Sequence, residues 1–308
     1  MKRIGIIGLG NKASQHIKRI QKIKDFELIG LYDHNTLLAH KIAHEFGIKS
    51  FPYPIDIIEN SQAIDFISPH PMDSEHINLA IKNARHVFLE NDFLKTAQQT
   101  KRLHHLVDEA QVKVQIAWQD RLNPAVIKAR KYINQAHFIE TRRAVSNMGN
   151  QQNSDSAMDL LLQDLDLVMS FVDSGIRRIQ TRTNNPFSEK VELINVRIEF
   201  DNACVANLNI SSLSPTSYTK AAIYQENAVV HIDLQKPALE ILRSKEQQND
   251  TISLNLNEDF PVFDPLYNEL ESFNQCIEHN TSPIIGLDEA YQVLEIMDEI
   301  KAQLGSYH

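Results

Sequence analysis

The strand candidate Arg3–Gly8 passes directly into the turn Gly8-Leu9-Gly10-Asn11-Lys12-Ala13, after which apolar residues recur at helical spacing. A G-x-G-x-x-A turn between a strand and a helix has a defined physical use. Its first glycine makes the tight turn, its second lets the backbone approach a ligand, and its small last residue lets the helix pack on the sheet. The amide groups that open the helix then favour a diphosphate. Asp33 follows 20 residues after Ala13, at the end of the next apolar run, where a carboxylate accepts hydrogen bonds from an adenosine ribose. The same carboxylate repels a 2′-phosphate, and neither His34 nor Asn35 brings an arginine to offset it, so the turn reads as a site for NAD rather than NADP. The alternative is a helix–sheet turn whose glycines serve packing and whose Asp33 caps the next helix.

Further along, short β-branched runs at Glu27–Tyr32, Ala63–Ser68, His86–Leu89 and Lys113–Ala117 alternate with segments of helical period. That order predicts an α/β domain over residues 1–120, a doubly wound parallel sheet of the Rossmann kind. Asn123 and Pro124 suit a helix start before Ala125–Ile133, and a strand follows near Phe138–Val145. The stretch Ser146–Ser156, rich in Asn, Gln and Ser, reads as a mobile surface loop, and Met158–Val172 as an apolar helix. From Arg177 the period changes to two, with strands at Val191–Phe200, Cys204–Ile210, Lys220–Gln225, Val229–Leu234 and Ile252–Leu256. Residues 121–308 are therefore expected to form an α+β domain with a mostly antiparallel sheet, used for substrate binding and oligomerisation. Two closing helices, Pro265–Glu278 and Asp288–Leu304, are free to pack back on the first domain.

Charge and composition exclude several classes of function. With 31 Lys+Arg against 40 Asp+Glu the net charge is −9, leaving no basic surplus for a nucleic acid. No apolar run approaches the roughly 20 residues of a membrane helix. Lys2 and Arg3 precede an apolar stretch, but Asn11 and Lys12 interrupt it before any cleavage site, so it reads as a buried strand of a cytoplasmic protein and not as an export signal. The two cysteines, Cys204 and Cys276, read as reduced thiols.

Beyond these signals, the strings Ile64-Asp65-Phe66-Ile67-Ser68-Pro69-His70, then His76, then Arg85-His86-Val87-Phe88-Leu89-Glu90 resemble the Gfo/Idh/MocA oxidoreductases. Asp120-Arg121-Leu122-Asn123-Pro124-Ala125, Asp164-Leu165-Asp166-Leu167 and Glu269-Leu270-Glu271-Ser272-Phe273 resemble the same family in the same order. The R-x-N-P-A string, the segment Ser211-Ser212-Leu213-Ser214-Pro215 and the C-terminal helix pair look most like the branch that oxidises UDP-N-acetyl sugars. The resemblance implies an NAD(P)-dependent oxidoreductase acting on a sugar or nucleotide sugar, and a homo-oligomer, dimer or tetramer, joined through one face of the second sheet. It also implies that Ser68, Pro69, His70 and Glu90 join Gly8, Gly10, Asn11, Lys12, Ala13 and Asp33 around the cofactor.

The chain departs from the family's pattern at two places. Where the family carries E-K-P, with the lysine beside the reacting carbon, this chain has Glu90-Asn91-Asp92. Where the family carries a proton-transferring histidine in D-x-x-x-H-D-x-D, this chain has Gln163 before Asp164. Asn91 and Gln163 can donate and accept hydrogen bonds but do not titrate, and positioned acid–base groups contribute on the order of 10² to 10⁴ in rate. Asn91, Gln163 and Asp164 are therefore the candidate catalytic positions of an impaired or rebuilt apparatus, with Asp92 and Lys95, one turn into the next helix, as further candidates for a relocated base. Helix capping or surface exposure is the simpler explanation of Asp92 and Asp164, and a solvent-facing helix position that of Lys95. The alternative function is a non-catalytic dinucleotide- or sugar-nucleotide-binding pseudoenzyme that senses or scaffolds; a third reading is a relic of the fold that binds no dinucleotide.

Other clusters carry less. His40 with His44, and His104 with His105, lack the third ligand of a zinc site and read as exposed helix histidines, so no metal is expected. His70 reads either as a pocket residue or as a plain loop residue. Arg121, Arg142 and Arg143 suit either a substrate phosphate or ion pairs. Trp118 reads as core packing.

Overall fold

The computed structural model of the protein describes residues 1–68, 70, 73–146, 157–184, 192–244, 251–255, 260 and 262–305. The chain divides into two compact units, the first made of Met1–Gln119 with Asp264–Leu294 and the second of Asp120–Phe263 with the chain from Glu295 onward.

In the first unit, β1 (Lys2–Ile7), β2 (Phe26–Tyr32), β3 (Ala63–Phe66), β4 (His86–Glu90) and β5 (Val114–Ala117) form a parallel sheet in the order β2-β1-β3-β4-β5. The connections carry α1 (Ala13–Ile20), α2 (Thr36–Phe46), α3 (Pro54–Asn60), α4 (Asp73–Lys82) and α5 (Ala97–Ala110). Parallel strands buried on both faces need nearly continuous apolar sequence, and Ile4, Ile6, Ala63, Ile64, Phe66, Val87, Phe88 and Leu89 are all fully buried. Strand order reverses between β1 and β3, and ligands of such sheets bind at the carboxyl ends of the strands at that point. Gly8 and Ser68 both leave the sheet there. The helix α8 (Pro265–His279) also belongs to this unit, and its Leu270 and Phe273 are buried in the same core as Ile4, Ile6 and Phe88.

The second unit is built on an eight-stranded sheet among the described residues: β6 (Phe138–Ala144), β7 (Ile176–Asn184), β8 (Leu193–Phe200), β9 (Val205–Ser211), β10 (Tyr218–Gln225), β11 (Ala228–Asp233), β12 (Ala238–Ser244) and β13 (Thr251–Asn255). Its order is β13-β12-β11-β10-β6-β9-β8-β7, and every pair is antiparallel except β6 with β9. One face is apolar and covered. Ile194, Val196, Ile198, Ala206, Leu208 and Ile210 alternate inward beneath α7 (Ala157–Met169). Near β11 and β12 lies α6 (Pro124–Ala129), where Asn123 Oδ1 accepts the Ala125 N–H as the cap expected from its sequence.

The fold class is as expected, with differences in detail. The expected helix Ala125–Ile133 stops at Ala129 and tightens into a 3₁₀ turn over Arg130–Tyr132. Strands β7 and β12 were not foreseen. β7 is an edge strand with only Ile179 and Thr181 buried, so its arginine-rich sequence shows little apolar alternation. Most of the polar stretch read as a loop, from residue 147 to 156, lies outside the described residues. Among the described residues no helix is long and apolar enough to cross a membrane. The last helix is α9 (Leu287–Gly305), and Cys204 and Cys276 are buried free thiols.

Candidate functional site

The glycine turn is held from both sides. Gly8 sits at φ +77° and Gly10 at φ +47°, backbone that L side chains rarely adopt, and both press on Ser68 at the end of β3. A Cβ on Gly8 would lie 2.5 Å from the Ser68 carbonyl oxygen, and one on Gly10 2.8 Å from the Ser68 hydroxyl. Asp33 closes the turn. Its Oδ2 accepts the Leu9 N–H at 2.7 Å and its Oδ1 accepts the Asn35 N–H at 2.7 Å. The capping role expected of Asp33 under the packing alternative belongs instead to Asn35, whose side chain accepts from Leu38 N–H at the start of α2.

These residues fit a dinucleotide. Lys12 at the N-cap of α1 makes no side-chain cap bond, and the N–H groups of Gly10 and Asn11 have no partner among the described residues. The helix therefore presents open donors at its positive end. His70 and His34 stack with centroids 3.8 Å apart, His34 also faces His76 at 5.3 Å, and Tyr32 meets His76 edge-on. Pro69 lies outside the described residues.

Beneath the turn runs a chain of charges that sequence reading had missed. Lys12 Nζ lies 2.7 Å from Glu90 Oε2, His16 Nε2 lies 3.1 Å from Glu90 Oε1, and His16 Nδ1 lies 2.8 Å from Asp65 Oδ2. His16 and Asp65 are almost wholly buried. Burial alone would lower the His16 pKa, but Asp65 and then Glu90 outweigh it and push it to about 10. Burial would raise that of Glu90, yet His16 and Lys12 hold it below the usual carboxylate range. Asp65 stays raised by burial despite His16. The signal in the sequence was a charge inside the apolar run Ile64–Ile67 and a histidine on the buried stripe of Ala13, Ile17 and Ile20.

Because the folded pKa of His16 lies above its ordinary 6.5, its charge contributes stability that is complete below pH 6.5 and is lost as pH rises through about 10. The difference in melting temperature between the parent and His16→Gln is accordingly expected to be largest near pH 6 and to shrink towards pH 10. A gap that stays constant over that range would contradict the charged state assigned to His16.

In the second unit the guanidinium of Arg143 is buried between carboxylates. Its Nε donates to Asp164 Oδ1 at 2.6 Å, one terminal nitrogen donates to Gln163 Oε1 at 2.8 Å, and the other donates to Asp120. Burial pulls the Arg143 pKa down, but Asp120 and Asp164 prevail and hold it above its ordinary range. Asp164 is 1% exposed, and burial raises its pKa against the pull of Arg143. Arg121 is bidentate on Asp166, and Arg142 binds Glu140. Of the two readings of these arginines, ion pairing is the one observed.

The remaining candidates are dispersed. Asn91 opens a 3₁₀ turn directly after Glu90, and Asp92 and Lys95 are exposed. Lys95 precedes α5 instead of lying within it, because Thr96 caps that helix by accepting the Gln99 N–H. His40 and His44 are exposed, His104 binds Asp108 and Asp288, and no group of three potential metal ligands occurs among the described residues. Trp118 is buried, as expected.

Residues 2–118 match the oxidoreductase family with an NAD-binding Rossmann fold, GFO_IDH_MocA. Over these residues the chain is similar to the Gfo/Idh/MocA family. The UDP-N-acetylglucosamine 3-dehydrogenase of Acidithiobacillus ferrooxidans is 22% identical over 244 residues, 78% of this chain and 76% of that protein. Its solved structure superposes with a TM-score of 0.89 at 20% identity, covering 98% of this chain and 97% of the other, so the likeness in fold extends to both units. The scyllo-inositol 2-dehydrogenase (NAD(+)) of Bacillus subtilis is 23% identical over 96% of this chain and 91% of its own. A levoglucosan dehydrogenase solved with NADH and L-sorbose has a TM-score of 0.85 at 16% identity, covering 99% and 97% of the two chains.

Proposed function

We propose that the chain is an NAD-dependent oxidoreductase that interconverts an alcohol and a ketone on a sugar or nucleotide sugar. The observation that carries this reading is the Asp33 carboxylate, fixed by Leu9 and Asn35 at the mouth of a glycine turn whose Gly10 and Asn11 N–H donors have no partner among the described residues. Gly10 and Asn11 would receive the diphosphate, and Asp33 would take the adenosine ribose hydroxyls and repel a 2′-phosphate. When bound, NAD supplies the acceptor for the hydride.

The substrate class is supported by the relatives, whose names specify UDP-N-acetylglucosamine and scyllo-inositol, both polyhydroxylated rings. By the same resemblance the protein is a homo-oligomer, and its buried free thiols suit a reducing cytoplasm. Gln163 suits a polar substrate. Arginine only donates, so Gln163 turns its oxygen to Arg143 and leaves its –NH₂ to donate to a substrate oxygen.

Formation of NADH, followed by absorbance against a panel that includes UDP-N-acetylglucosamine, scyllo-inositol and glucose 6-phosphate, tests the proposal. Turnover of a member of this class is the expected result. A chain that binds NAD and oxidises none of them, and reduces none of the matching ketones, would establish the pseudoenzyme reading instead.

A further inference from the structure

We infer that two stacked imidazoles, those of His34 and His70, adjust the choice between NAD and NADP through the proton they carry. Without a proton the pair leaves the Asp33 carboxylate to reject a 2′-phosphate; with one it supplies the cation that the phosphate needs. The inference rests on the reading of the glycine turn and Asp33 as a dinucleotide site.

Topology puts the pair on the ligand side of that turn. His34 follows Asp33 at the carboxyl end of β2, and His70 lies beyond the carboxyl end of β3. In the sheet β1 runs between these two strands, so rings that meet across it span the end of β1, where Gly8 and Gly10 turn. The rings of His34 and His70 do meet, with centroids 3.8 Å apart and planes 24° from parallel. Both residues are exposed, and an anion can reach them from solvent. Behind them stands His76 of α4, which is buried, with its ring 5.3 Å from that of His34. Tyr32 meets His34 edge-on at 5.5 Å and His76 at 6.0 Å. The stack is thereby held beside the carboxylate that takes the ribose, the place where a cation accommodates a 2′-phosphate in folds of this kind.

Histidine is the side chain whose ordinary titration falls between about pH 5 and 8. Two imidazolium rings this close repel each other, so the stack takes up a first proton more readily than a second. The neutral ring offers its π face to the charged one. The titratable groups that face the pair are Tyr32 and Asp33 from β2 and His76 from α4. Glu75, beside His76, is exposed, and α2 carries no acidic residue in its first turn. Of these groups Asp33 opposes a phosphate, whereas an imidazolium favours it. The coupling is reciprocal: a bound 2′-phosphate raises the proton affinity of the stack, so NADP takes up a proton on binding and NAD does not.

The sign separates protein from ligand. A phosphate monoester loses its second charge near about pH 6, which weakens an electrostatic hold on NADP as the solution becomes more acid. Protonation of the stack acts the other way. One unit charge a few ångströms from the phosphate in a solvated site is expected to improve NADP binding relative to NAD by about tenfold.

Calorimetric titration of the full chain with NAD and with NADP, at pH 8.5 and pH 6 and constant ionic strength, reads the ratio of the two affinities. In the parent, NAD is expected to bind better at both, with the gap about tenfold narrower at pH 6. Repeating the pH 6 titrations in buffers of different ionisation enthalpy is expected to show proton uptake with NADP alone. The double variant His34→Gln/His70→Gln is expected to give a ratio that does not move with pH. His34→Arg, with a permanent charge, is expected to favour NADP more than the parent does at pH 8.5. A parental ratio equal at both pH values, a pH dependence that survives in the double variant, or no gain for NADP in His34→Arg would overturn the inference and leave the NAD reading standing. A parent that binds neither dinucleotide at pH 8.5 would overturn that reading, and the inference with it.

Discussion

Replacing Arg143 with leucine is expected to destabilise the second unit by about 3–5 kcal/mol, the cost of leaving a buried carboxylate without its partner. Arg143 reaches Asp164, Gln163 and Asp120 with three different nitrogens, and Asp164 is essentially excluded from water. Removing the cation strands two acidic groups in a site that burial already makes unfavourable for charge. Arg143→Lys is expected to recover only part of the loss, because one ammonium cannot reproduce a planar fork that serves three acceptors in different directions. Chemical denaturation followed by circular dichroism measures both variants. A loss below about 1 kcal/mol, typical of an exposed ion pair, would show that the cluster is solvated.

Gly8→Ala is the second large effect. At φ +77° any L side chain is strained, and here its Cβ would also stand 2.5 Å from the backbone oxygen of Ser68, which no rotamer change relieves. Strain and overpacking together amount to roughly 2–6 kcal/mol. A fall in melting temperature on the order of 10 °C is expected for a unit of this size. Because the same turn carries the open N–H donors, the variant is also expected to lose the rise in melting temperature that NAD gives the parent. Unchanged stability would mean that the turn is not packed as described.

What could be read from the sequence was local. The strand, the G-x-G-x-x-A turn and Asp33 lie within 33 residues, and each follows from spacing alone. The parallel strands were likewise legible because burial on both faces leaves an unbroken apolar run, as in Val87–Leu89. Long-range contacts were not. His16 finds Asp65 across 49 residues of chain, and Lys12 finds Glu90 across 78, distances over which no spacing rule operates. Arg143 reads as a surface residue in Thr141-Arg142-Arg143, and only the strand alternation that turns Arg142 outward and Arg143 inward separates the two. The displaced start of α5 was readable in principle. Thr96 accepts from Gln99 N–H while Gln99 Oε1 accepts from Lys95 N–H, a reciprocal pair close to a capping box.

The most direct test of the central claim is a calorimetric titration of the full chain with NAD and with NADP. The account predicts saturable binding of NAD, much weaker binding of NADP, and a narrowed preference in Asp33→Ser, where the carboxylate that meets the ribose is gone. Absence of heat with both dinucleotides, or tighter binding of NADP, would contradict it.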